Sequence, residues 1–81
     1  MAIFRMAAVK AETGHRSHAS IYTAIKVGLF TKPVPIGERS VGWPDYEVAA
    51  INRARIAGQS EADIRDLVNR LHAKRIELVQ A

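Results

Sequence analysis

The sequence predicts a mainly α-helical domain with one small β-hairpin, arranged as a winged helix-turn-helix. Three observations carry this. Two short helical patterns near the start are separated by Thr13-Gly14. A segment containing Pro33 and Pro35 cannot continue as helix and turns back near Gly37. Two more helical patterns follow, one behind Pro44 and one behind Ser60.

Phe4 to Glu12 reads as the first helix. Phe4, Met6, Val9 and the alanines at 7, 8 and 11 form its apolar stripe. Gly14 stops it, because glycine accepts the left-handed geometry that closes helices. The second helix is expected to start near Ser17 or His18, with Ser17 as N-cap, and to run to Val27. Ile21, Ala24, Ile25 and Leu29 face inward, and Gly28 is the stop. Two helices joined by a tight glycine turn outline a helix-turn-helix.

Val34 and Ile36 then alternate with proline, Gly37-Glu38-Arg39 is a turn, and Ser40 to Trp43 returns as a second strand. A lone hairpin is unstable in water. It must lean on the helices, with Phe30, Val41 and Trp43 as anchors. Pro44 fits the first turn of the third helix, and Asp45 and Glu47 suit its positive end. That helix runs to about Ala57, with Val48, Ile51, Ala54 and Ile56 inward. Ser60-Glu61-Ala62-Asp63 is a variant capping box opening a fourth helix. Ile64, Leu67, Val68, Leu71 and Ile76 keep helical spacing along it, among alternating arginines and acids that read as a solvated face.

Composition narrows the function. With 81 residues and no cysteine, disulfides and cysteine-ligated zinc are excluded. No apolar run approaches bilayer length, so the chain is read as soluble, cytoplasmic and nucleoid-associated. The net charge of +4 sits entirely in residues 1–43, which hold six Lys/Arg against two acids. Residues 44–81 hold six of each. A basic half joined to a neutral half points to a polyanion as partner.

The second helix carries a polar outer face suited to a DNA major groove. The candidate DNA-binding residues are Arg16, Ser17, His18, Ser20, Tyr22, Thr23 and Lys26, with the recognition segment taken as residues 16–27. Arginine binds guanine through two hydrogen bonds, while Ser and Thr are permissive readers. Arg39, at the tip of the hairpin over residues 37–40, is the candidate wing contact to the backbone or minor groove. Lys10 and Lys32 are expected on phosphates. A blander reading remains for the helix face and the wing tip alike: polar groups that simply meet water. His15-x-x-His18 has no third ligand of the right type nearby, so no metal is expected. No nucleophile motif, P-loop or paired-acid constellation is present, so neither an enzyme nor a cofactor is expected.

The segments MAAVKAETG, SIYTAIKVGLFTKPVPIGERSVGW and the following EV resemble the AlpA family of prophage-type regulators, over about residues 4–57. The resemblance implies a winged helix-turn-helix of MerR/excisionase-like type and sequence-specific binding of double-stranded DNA. Its outcome would be transcription regulation or excision control. Carried over by position, Arg16 to Lys26 is the recognition helix, Gly37 to Ser40 the wing tip, and Ile21, Ile25, Val41 and Trp43 pack the domain. The chain departs from the pattern twice. HRSHAS places six residues between Gly14 and Ile21, where the family has five, and Thr31 replaces the proline after the Phe.

The expected organisation is a DNA-binding domain over residues 1–58 and an additional C-terminal helix over 59–81 that packs or self-associates. A monomer of this size covers a short site, so a homodimer or cooperative array is expected on DNA. The rival reading is an excisionase-like factor or accessory module that contacts an integrase or polymerase through the fourth helix.

Overall fold

The computed structural model describes residues 2–80. Its elements are β1 (Ile3–Phe4), α1 (Met6–Thr13), α2 (His18–Lys26), β2 (Val34–Pro35), β3 (Val41–Pro44), α3 (Asp45–Ile56) and α4 (Glu61–Gln80). Four helices surround a small antiparallel sheet of order β1-β3-β2, which is a winged helix-turn-helix.

The expected first helix begins two residues late. Ile3 and Phe4 are strand, pairing with Pro44 and Trp43. The reason lies far away in sequence: β3 is the central strand, and the N-terminal segment pairs along the edge that β2 leaves open. Gly42 permits this, since a Cβ there would collide with the Ile3 side chain and come within 3.0 Å of the Phe4 carbonyl oxygen. Pro44 likewise belongs to the strand, and it caps α3 from outside with extended backbone (ψ 135°) instead of filling the first helical turn.

The hairpin forms where expected. Val34 pairs with Gly42 and Pro35 with Val41, and the Ile36 N–H donates to the Ser40 carbonyl at 2.9 Å to close the turn. Gly14 ends α1 in the left-handed region (φ 79°), and its N–H donates to Lys10 O. Ser17 caps α2 by accepting from the Ser20 N–H at 3.1 Å. Ser60 caps α4 in the same way, accepting from the Asp63 N–H at 3.1 Å.

The core gathers Val9, Ile21, Phe30, Trp43, Val48, Ile51, Ala54, Ile64, Val68 and Leu71. Trp43 is its centre. Its ring lies 6.1 Å from Phe30, and its indole N–H donates to the Thr31 carbonyl at 2.8 Å. Thr31 itself is fully buried. Ile56 does not face inward: it is 86% exposed, in the last turn of α3. On α4, Ile64, Val68 and Leu71 are buried and Leu67 is half-buried. Ile76, Leu78 and Val79 are exposed.

Candidate nucleic-acid interface

The recognition segment is helical only over His18–Lys26, shorter than the expected 16–27. Ser17 is extended (φ −143°, ψ 160°) because its side chain serves as cap, which leaves His15, Arg16 and Ser17 as the turn. Val27 closes the other end.

Within the helix, His18, Tyr22 and Lys26 follow at four-residue intervals, with Thr23 beside them, so they share one face. All four are exposed, as are Arg16 and Ser17 at the helix entrance. The side chains of Arg16, His18, Tyr22, Thr23 and Lys26 make no hydrogen bond to other described residues. Ser20 differs: it is half-buried and its hydroxyl pairs with His15 Nδ1. That bond ties the turn to the first helical turn behind it. The opposite side of the helix supplies Ile21 to the core, with Ala24 and Ile25 packed against it.

Arg39 is exposed at the tip of the wing, separate from the helix face. A residue that sequence reasoning missed stands against the wing turn. Arg5, between β1 and α1, donates from Nη2 to Ser40 Oγ at 2.9 Å. No local signal marks Arg5, because the contact spans 35 positions.

Two of the three arginines of α4, Arg65 and Arg75, also depart from the solvated pattern. Arg75 forks onto Glu47, with Nε to Oε2 at 2.7 Å and Nη2 to Oε1 at 2.6 Å. Glu47 is fully buried in the first turn of α3. Both oxygens of this buried carboxylate are therefore taken by one guanidinium. Arg75 Nη2 also donates to Lys32 O, and Arg65 Nε donates to Val27 O at 2.9 Å.

His72 Nε2 accepts from the Lys32 N–H at 3.0 Å, which requires the neutral ring with its proton on Nδ1. Burial, then the Arg75 charge, hold its pKa below the ordinary 6.5. The unfolded chain therefore binds this proton more readily than the folded one. The stabilising contribution is complete above pH 6.5 and is lost as pH falls through the lower folded value. Between pH 7.5 and 5 the wild type should lose more thermal stability than His72→Gln, whose amide oxygen accepts the same bond without titrating. Parallel melting curves for the two would contradict this assignment.

Two short helices joined through the Gly14 turn, with a hairpin on a three-stranded sheet, define a protein of the winged helix-turn-helix class. Comparison with known families makes the assignment specific. The family described as "Prophage CP4-57 regulatory protein (AlpA)" matches residues 2–56, and the chain belongs to this regulatory family. No curated protein and no solved structure matches it. The matched segment takes in α1, α2, the sheet and α3, and stops before α4. No helix among the described residues is long and apolar enough to cross a membrane.

Proposed function

We propose that this protein is a sequence-specific DNA-binding regulator of transcription. Residues 1–58 form the DNA-binding unit, α2 enters the major groove, and the wing at 37–40 lies on the backbone or minor groove. The observation that carries the reading is the exposed face of His18, Tyr22, Thr23 and Lys26 beside Arg16. These donors have no partners among the described residues, on the helix that follows the turn of a family of regulators. In helix-turn-helix proteins the N-terminal part of the second helix meets base edges. Arg16, Ser17 and His18 are the base readers in this docking, with Tyr22, Lys26 and Arg39 on phosphates.

The test is fluorescence anisotropy with the duplex upstream of its own gene and a scrambled duplex. Arg16→Ala should weaken binding to the upstream duplex by roughly 1–3 kcal/mol and relax its preference. Lys26→Ala should weaken both duplexes alike and lower the salt slope by about one. Unchanged affinity in both variants, with melting curves intact, removes this docking.

Short sites give one small domain little discrimination, so two or more copies are expected on the upstream duplex. Sedimentation of the free protein and of the complex decides this, and one copy per duplex would rule it out.

A second reading is favoured by the end of α4, where Ile76 is 65% and Val79 88% exposed. In it, residues 59–81 grip another protein, an integrase or a polymerase, as an excisionase-like factor would. Leu71 cannot probe this, since it lies in the core. Ile76→Asp should abolish capture of such a partner while leaving DNA affinity unchanged, and unaltered capture counts against the reading.

A further inference from the structure

α4 lies beyond the family match, yet it holds the connection between the recognition helix and the wing. That connection leaves α2 at Val27 and reaches β2 at Val34. Gly28 bends it in the left-handed region (φ 81°), against the stem of Arg65. Arg65 Nε then fixes the Val27 carbonyl at one end. At the other end, three consecutive main-chain groups are each taken by a side chain. The Thr31 carbonyl accepts from Trp43, the Lys32 N–H donates to His72, and the Lys32 carbonyl accepts from Arg75 at 2.6 Å. Arg75 is itself held by buried Glu47 of α3.

Positions 65, 72 and 75 fall on one side of a helix, seven and three residues apart. Burying Phe30 and Thr31 would by itself seat the middle of the connection. It would not require hydrogen bonds from α4 at both ends.

We propose that α4 is a gauge for DNA recognition: Arg65, His72 and Arg75 are positioning residues that fix the separation of recognition helix and wing, and so select the sites on which both engage together. The inference rests on the DNA-binding reading above. Two linked contacts reinforce each other only when their geometry allows simultaneous engagement. A site whose supporting shell is loose by about 1 Å loses function even with its contact residues intact. Held on both sides, Lys32 also presents its exposed side chain from a fixed main chain.

The experiment compares full-length wild type, His72→Phe, His72→Gln, Arg65→Met, Arg39→Ala and the double variant His72→Phe/Arg39→Ala. The probes are the upstream duplex and the scrambled duplex, measured well below every melting temperature. His72→Phe keeps ring volume but loses the acceptor. It should reduce the preference for the upstream duplex about tenfold, and His72→Gln should restore most of it. Arg65→Met should act in the same direction as His72→Phe. Arg39→Ala should cost affinity in the wild type and far less in the His72→Phe background, because a loosened wing no longer delivers Arg39. A purely structural role for α4 would lower the melting temperature without producing that coupling. Folded His72→Phe and Arg65→Met proteins that keep the wild-type preference, with additive losses in the double variant, would overturn the proposal. A wild type that does not distinguish the duplexes overturns the DNA reading itself, and the gauge with it.

Discussion

Arg75→Ala is expected to destabilise the protein by about 3–5 kcal/mol, the cost of stranding a buried charge. Glu47 is fully buried, and both its carboxylate oxygens accept from this one guanidinium. The same change frees the Lys32 carbonyl. A domain of this length holds roughly 4–12 kcal/mol in total, so the variant should lose at least about a quarter of its stability. Removing both charges should hurt less than removing one. Glu47→Met/Arg75→Met eliminates the stranded carboxylate and replaces it with apolar volume, so it should recover much of the loss. Urea denaturation followed by circular dichroism measures all three proteins. If the double variant is as unstable as Arg75→Ala, the penalty does not come from the buried charge.

Trp43→Ala should cost a similar amount, about 3–5 kcal/mol. The side chain is completely buried at the meeting point of three parts of the fold. Its backbone pairs with Phe4, its ring meets Phe30, and its indole N–H holds Thr31 O. Removing it opens a large cavity and leaves a buried carbonyl without its donor. Trp43→Phe separates the two effects. It retains much of the packing and loses the hydrogen bond with part of the ring, so its cost should be smaller, about 1–2 kcal/mol. Equal losses in the two variants would mean that the hydrogen bond, not the packed volume, anchors the connection to β3.

The two substitutions test different kinds of information. Trp43 was legible as an anchor, because a hairpin this small must bury its large aromatic somewhere. Glu47 was not. An acid in the first turn of a helix has a sufficient local explanation in the helix dipole, and nothing nearby in sequence announces a partner 28 positions later. Arg75, His72 and Arg65 share that property. Each sits in a stretch whose alternating charges describe an ordinary wet helix face. Their bonds run to main-chain atoms 38 to 43 residues away, and main-chain atoms leave no mark in composition.

The candidate interface divides the same way. The spacing of His18, Tyr22 and Lys26 sets their common face, and Ser17 marks the helix start through its capping chemistry. The placement of Arg5 against the wing turn depends on β1, a two-residue strand. Two residues carry no periodicity, and the alanine-rich sequence after them extends a helical pattern backwards over Phe4.

The sequence by itself determined the order of helices, the glycine stops, the turn of the wing, the face of α2 and membership of a regulatory family. These follow from local rules: backbone geometry, side-chain capping and the periodic placement of apolar residues. Only the tertiary structure decided that the N-terminal segment completes the sheet, that Thr31 and Glu47 are buried, and that α4 grips the chain between α2 and β2. Those features are created by contacts between distant residues. Their free energy exists only once the chain has closed on itself, so no short window of sequence can display them.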